Sequence, residues 1–309
     1  MITYNHEKFI AQALDSVLMQ QVDFDYEIVI GDDLSQDRTR EILLEYRSKH
    51  PDKIRLLLYE EKQGVGGNIY HVLTNCNGTY IALLEGDDYW TSVNKLQVQV
   101  NFLQTQPEFS LCFHSVEIWN ESENRFSGFW RQAQEGIKYR LADLLINTIF
   151  PHFCSVVFDK RRLVLPDWYK SITQGDIVLW MLNAEHGYLG YINKAMSVYR
   201  VHNQGVWSGA SALTQLQQYV EVLERLNEHF QYKYKKYLKV NLTYCSLAVK
   251  NRELGEKEKS REYFLKAITN RNGENLSVLR IVKTGTGVYL HRVYVILLSI
   301  KSKKLVAFF

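Results

Sequence analysis

Leu83-Leu84-Glu85-Gly86-Asp87-Asp88-Tyr89-Trp90 joins an apolar run to a pair of acids. The run starts at Tyr80 and stops at Asp87 and Asp88. It reads as a buried strand. Open α/β sheets bind ligands just beyond the carboxyl ends of such strands. Adjacent carboxylates repel each other, and a divalent cation between them and an anionic ligand relieves the repulsion. Oxygen ligands of this kind suit Mg²⁺ or Mn²⁺, with phosphate completing the shell. An isolated Asp-Asp is more often a solvated turn, so the surrounding sequence has to decide.

Upstream, the same pattern recurs. Tyr26 to Ile30 reads as a strand and ends in Gly31-Asp32-Asp33-Leu34-Ser35, a second acid pair. Met1-Ile2-Thr3-Tyr4 reads as the end of a first strand whose beginning is missing. Asn5 suits the cap of a helix carrying Phe9, Ile10, Ala13, Leu14, Val17 and Leu18. Asp37 opens a second helix, with Ile42, Leu43 and Tyr46 on one face and Pro51 beyond its end. Ile54 to Tyr59 is a third strand. Gln63-Gly64-Val65-Gly66-Gly67-Asn68 reads as a flexible loop before a helix that Asn77-Gly78 stops. A glycine loop before a helix can cradle phosphate. This one lacks the P-loop lysine and does not fit the dinucleotide fingerprint. Strands alternating with helices predict an α/β fold: a Rossmann-like, mostly parallel sheet with helices on both faces. Both acid pairs should then meet at one sheet edge.

Downstream, Lys95-Leu96, Val100 and Leu103 mark an amphipathic helix, and Phe109 to Trp119 a long or bent strand. Asn120 to Ile137 reads as a hairpin or loop over a site, or as a surface excursion anchored by Phe126, Phe129 and Trp130. Gln174-Gly175-Asp176 opens a helix bearing Ile177, Leu179 and Trp180. An aspartate there is ordinarily a cap. Strands follow at Tyr188 to Ile192 and Met196 to Val201, then His202, a metal ligand or a core histidine. From Ser211 charged helices dominate, which divides the chain into 1–208 and a helical 209–309. Leu242 to Ala267 faintly resembles a tetratricopeptide hairpin. The tail from Val288 to Ile300 is apolar, with Lys301, Lys303 and Lys304 behind it. It suits docking on the helical module or peripheral contact with an anionic membrane.

Composition narrows the class. A net charge of +3 on 309 residues is too small to argue for nucleic acid. No apolar run reaches the ~20 residues that cross a bilayer, and no signal peptide opens the chain, so a cytoplasmic protein is expected. Cys76, Cys112, Cys154 and Cys245 show no metal-ligand spacing and read as reduced and mostly buried.

Taken in order, Thr3-Tyr4-Asn5-His6-Glu7, Gly31 to Thr39 and Glu85 to Trp90 resemble a family 2 glycosyltransferase of the GT-A fold. The resemblance continues through Lys95-Leu96, Gly175-Asp176 and Tyr199-Arg200-Val201-His202, about two-thirds of the chain. It implies an inverting, metal-dependent transfer from a nucleotide sugar, usually a UDP sugar. It implies that Asp33 contacts the base of the nucleotide, Asp88 ligates the metal and Asp87 lies nearer the ribose. It implies that Asp176 is the catalytic base and that His202 completes the metal site. Thr3, Tyr4 and Asn68 join the expected donor-binding residues. A diphosphate leaving group is stabilised by Mg²⁺ or Mn²⁺, and one-step inversion needs only one base. A helix N-terminus should keep Asp176 ionised. The short first strand departs from the family pattern and would weaken the sheet and the nucleotide pocket.

The expected acceptor is a glycan or a lipid-linked sugar in bacterial surface polysaccharide synthesis. A sugar nucleotidyltransferase is the weaker alternative, because the chain opens without a glycine-rich basic loop for a triphosphate. A non-catalytic protein acting through its helical part is another.

Overall fold

The computed structural model describes residues 1–130, 133–146, 149–202, 211–270 and 272–273. The chain forms two compact units, Met1–Gly209 and Ala210–Phe309. The first is an α/β unit. Its elements are β1 (Ile2–Thr3), α1 (Ile10–Leu18), β2 (Ile28–Asp32), α2 (Thr39–Lys49), β3 (Ile54–Leu58), α3 (Gly64–Asn75), β4 (Tyr80–Ala82) and β5 (Tyr89–Trp90). They continue with α4 (Lys95–Thr105), β6 (Phe109–Asn120), β7 (Arg125–Trp130), α5 (Leu141–Leu145), β8 (Val157–Asp159), α6 (Gly175–Ala184) and β9 (Tyr188–Val201).

The apolar spacing explains the helices. In α1, Ile10, Ala13, Leu14 and Val17 recur at helical intervals and are all buried. They meet Ile28 and Ile30 of β2, Leu43 of α2 and Ile54 of β3 in one core that extends to Leu84 and Trp90. Each such side chain contributes roughly 1.5–3 kcal/mol when fully buried. Strand β2 is buried along its whole length, as a parallel strand covered on both faces must be.

Strands β1, β2 and β3 pair in parallel. Ile2 also bridges in parallel to Glu85, through Ile2 N–H to Leu84 O and Gly86 N–H to Ile2 O. So β1, though short, lies between β2 and the acidic segment. Beyond it the sheet is mixed, in the order β4-β8-β6-β9-β5. Strand β9 runs parallel to β6, and the pairs β4–β8, β6–β8 and β5–β9 are antiparallel. The two strands expected after Gly187 are one, Tyr188–Val201, which follows β6 along its length with register shifts. Strands β6 and β7 form the hairpin expected between Asn120 and Ile137, and Phe126 and Phe129 stay exposed on it.

Two local readings are corrected. Asn5 does not cap α1, which starts at Ile10; its Oδ1 accepts from Gln36 N–H and ties two strand-end loops together. The glycine run is not a flexible loop but the first turn of α3. Gly64 supplies a positive φ of 70°. Gly66 lets the helix lie against the backbone of residues 166–172, and its N–H donates to Ile172 O at 3.1 Å.

The second unit holds α7 (Ala212–His229), α8 (Lys235–Leu238), α9 (Val240–Glu253) and α10 (Lys257–Thr269). Gly255, at φ +82°, turns the chain between α9 and α10, and Ser260 Oγ donates to Ala248 O at 2.7 Å across the hairpin. The apolar tail from Val288 to Ile300 lies outside the described residues.

A Cβ at Gly66 would sit 2.3 Å from Ile172 O and 2.6 Å from Tyr169 O, both backbone atoms that cannot rotate away. Gly66→Ala should lower stability by about 1–3 kcal/mol. Urea unfolding checks this as a fall in midpoint at unchanged slope. An unmoved midpoint would show that residues 166–172 yield freely to the helix.

Candidate active site

The register brings the two acid pairs to the same end of β1. Thr3 pairs with Asp32, and Asp33 N–H donates to Thr3 O at 3.0 Å. On the other side, Gly86 closes on Ile2. A Cβ on Gly86 would come within 2.6 Å of Thr3 Oγ1 and 2.9 Å of His6 Nδ1. The glycine between the acids and the first strand is therefore a packing requirement.

The upstream pair splits into different tasks. Asp32 is fully buried and accepts from Arg40 Nε at 2.8 Å and from Ser35 N–H at 3.3 Å. It anchors α2 to the end of β2. Asp33 Oδ1 accepts from Gln63 N–H at 2.6 Å, at the mouth of α3. Nearby, Lys62 Nζ lies 3.4 Å from the centre of the Tyr4 ring. Asn68 is buried, and its Nδ2 donates to Gly31 O at 3.0 Å, which commits this side of the amide to bracing β2.

The downstream acids form a cluster. Glu85, Asp87 and Asp88 each place an oxygen within 4.8 Å of the others. Asp88 is fully buried; Oδ1 accepts from Arg200 N–H at 2.9 Å, while Oδ2 has no hydrogen-bond partner. Arg200 also donates its guanidinium to Asp87 O and Gln12 Oε1, and its Nε lies 2.8 Å from Glu121 Oε1. Strand β9 thus clasps the acidic turn. Asp87 Oδ2 lies 3.0 Å from His202 Nε2 and 3.5 Å from His6 Nε2. His202 therefore reaches the acids, facing Asp87.

Electrostatics divides the cluster. Burial pushes Glu85 well above the usual carboxylate range, and the charges of Asp87, Asp88 and Asp176 add to the rise. Burial and the Asp87 charge do the same to Asp88. Burial also acts against the charged form of Asp87, but the His202 bond and His6 outweigh it and hold Asp87 low. Burial lowers His6. The cluster holds more carboxylate than the chain itself neutralises. The open oxygen of Asp88, buried in this set, fits a hard divalent cation.

Asp176 begins α6 and keeps a partly open surface among crowded protein atoms. Its Oδ1 accepts from Ile177 N–H at 2.8 Å. Burial raises its pKa and outweighs that bond, acting against the helix N-terminus expected to keep Asp176 ionised. Tyr169 Oη donates to Gly175 O at 2.8 Å and fixes the turn from below.

Glu85, His6 and Arg200 lie within the sequence motifs, which give them no role by themselves. His152 and Cys154 were missed as neighbours of Asp88. Nothing in their spacing announces this, because the sheet brings them together.

Residues 1–162 match the family model described as glycosyl transferase family 2. An uncharacterized protein of Mycobacterium tuberculosis is 35% identical over 213 residues, which are 68% of this chain and 60% of that protein's length. The Escherichia coli UDP-Glc:alpha-D-GlcNAc-diphosphoundecaprenol beta-1,3-glucosyltransferase WfgD is 29% identical over 210 residues, 67% of this chain and 78% of that protein. The crystal structure of S. aureus TarS 1-349 in complex with UDP-GlcNAc matches with a TM-score of 0.60 at 18% identity. That match covers 100% of this chain and 92% of the other, and at such identity it speaks for the GT-A fold alone. With its first 162 residues matched and the acids gathered at one edge of the sheet, the chain belongs to glycosyl transferase family 2.

Proposed function

We propose that the protein is an inverting, metal-dependent glycosyltransferase. It moves a sugar from a UDP-linked donor to a hydroxyl of a glycan or lipid-linked acceptor in bacterial surface polysaccharide synthesis. The observation that carries this reading is Asp88 Oδ2, buried without an N–H or O–H partner beside the half-buried carboxylates of Glu85 and Asp87. WfgD, by its name, transfers from UDP-Glc to a diphosphoundecaprenol-linked sugar. That supports both a UDP donor and a lipid-linked acceptor here.

The geometry supports an assignment of roles. Asp88 is the cation's direct ligand. Asp87, held ionised by its histidine neighbours, lies toward the ribose, and His202 completes the metal site from beside it. Bound Mn²⁺ or Mg²⁺ offsets the charge that develops on the diphosphate leaving group. Thr3, Tyr4 and Asp33, at the ends of the first two strands, receive the nucleoside, with Asn68 bracing that wall through Gly31. Asp176 is the base. Its raised pKa brings it nearer neutrality, where proton abstraction from a sugar hydroxyl is most efficient. Among the described residues no helix is long and apolar enough to cross a membrane. A lipid-linked acceptor would be met at the inner face of the cell membrane.

Asp176→Asn should cut transfer by about 10²–10⁴-fold while a UDP- and Mn²⁺-dependent rise in melting temperature survives. At ligand about 100 times its dissociation constant the stabilisation is about 2.7 kcal/mol. Asp88→Asn should lose that rise. Full transfer by the Asp176 variant would sink the assigned role, and NMR of the product would test inversion of the anomeric centre.

The raised pKa of Asp88 also sets a pH dependence. The folded state holds its proton more tightly than the unfolded chain. Without divalent cations its contribution is fully present below the ordinary carboxylate pKa, about 4, and is lost as pH rises toward the folded value. Asp88→Asn in chelator should therefore be more stable than the wild type near neutrality, with the gap closing as pH falls toward 4. Denaturant melts across pH check the sign. A gap that does not change with pH would refute it.

A further inference from the structure

The function proposed above leaves His152 and Cys154 without a task, yet both face Asp88. One ligand atom from each of Asp88, His152 and Cys154 lies within 4.8 Å of the other two. Cys154 Sγ is 3.5 Å from His152 Nδ1. Tetrahedral zinc, with bonds of about 2.3 Å to sulfur and about 2.0–2.1 Å to imidazole, separates those atoms by about 3.5 Å. Asp88 is fully buried, its Oδ2 has no N–H or O–H partner, and the side chain that approaches its carboxylate is the Cys154 thiol.

The site is also built rigidly. Trp90 Nε1 donates to Cys154 O at 3.1 Å, and Gln99 Nε2 donates to Ser155 O at 2.8 Å. Ser155 Oγ and N–H both donate to His152 O. The short turn Phe153–Ser155 is thereby pinned on its carbonyl side. The His152 ring packs on Tyr199, with centroids 4.1 Å apart, and meets Trp130 edge-on. Ser197 Oγ lies 3.2 Å from the sulfur, where its hydroxyl can donate to a thiolate. His152 is half-buried.

We propose that Asp88, His152 and Cys154 form a binding site for a thiophilic divalent cation, zinc, that shares Asp88 with the carboxylate cluster. A thiolate and an imidazole select zinc over Mg²⁺ and Mn²⁺, which prefer all-oxygen shells. As the zinc–sulfur bond forms, the thiol proton passes to solvent. With three protein ligands, the fourth position stays open to water. Asp88 cannot serve this ion and the donor's cation fully at once, so zinc opposes metal-dependent donor binding. That competition, though not the site itself, rests on the function proposed above.

The test uses the full chain, kept reduced and free of chelator. Zinc is titrated against a chromogenic indicator, and Co²⁺ is used as a spectroscopic substitute. The wild type should bind one zinc and show a thiolate-to-cobalt charge-transfer band. Cys154→Ser should abolish the band, and both it and His152→Gln should weaken zinc binding at least about tenfold. His152→Gln keeps the test open if the cysteine variant fails to fold. A wild type without the band, a band that persists in Cys154→Ser, or equal zinc affinity in both variants and wild type would overturn the site. Zinc should also remove the UDP- and Mn²⁺-dependent rise in melting temperature of the wild type, and excess Mn²⁺ should restore it. A rise that zinc leaves untouched would overturn the competition. Absence of any rise with UDP and Mn²⁺ alone would instead count against the proposed function, leaving the indicator and cobalt results to decide the site.

Discussion

Asp88 is buried with one of its oxygens left without a partner, and the first unit is arranged around that constraint. An unpaired buried polar group costs about 1–3 kcal/mol, and more when charged. Nothing in the core needs such a group. Its neighbours are nevertheless spent on holding it in place: the Arg200 N–H fixes one oxygen, and the Arg200 guanidinium fixes the adjacent Asp87 carbonyl. Strand β9 can supply both because it stays paired with β6, through several register shifts, as far as residue 201. Burying a carboxylate, supporting half of it and leaving the rest open is an arrangement that a ligand completes.

The cluster does not carry its charge evenly. Asp87 is held low by two imidazoles, whereas Glu85 and Asp88 are pushed high by burial and by their acidic neighbours. A cation entering such a set displaces protons as well as meeting fixed charge, so binding and local pKa values are linked. Asp176 belongs to the same field, since its charge is among those that raise Glu85. Asp176 thus reaches the acidic cluster electrostatically through Glu85, though the two lie far apart in the sequence.

Local alternation made the parallel half legible. Apolar runs leading into acids placed two strands, though β2 runs on to Asp32 and β4 stops at Ala82, and β1 between them brings both acid pairs to one edge. What escaped was set by distant contacts. The parallel pairing of β9 with β6 leaves no local trace, because both strands have neighbours drawn from elsewhere in the chain. The glycines of α3 read as a loop, since only the backbone of residues 166–172 explains why they must be small. The Asp176 charge was judged from its helix end, whereas burial governs it. Cys154 and His152 carried no signal of contact with Asp88, because an irregular turn presents them from across the sheet.

Helix α3 then acquires a role that its sequence does not advertise. On one side, Asn68 and Val72 pack onto the backbone of Gly31, where any Cβ would meet Asn68 Oδ1 at 1.9 Å. On the other, Gly66 abuts Ile172 O, and Ile69 lies against Gly175, where a Cβ would come 2.8 Å from Ile69 Cδ1. The same helix therefore sets the end of β2, which carries Asp33, and the turn that carries Asp176. Interiors packed this closely resist compression. The spacing between Asp33 and Asp176 is thus set by α3, which packs against both of the turns that carry them. Glycines at Gly31, Gly66 and Gly175 allow that close packing, and it gives the separation its rigidity.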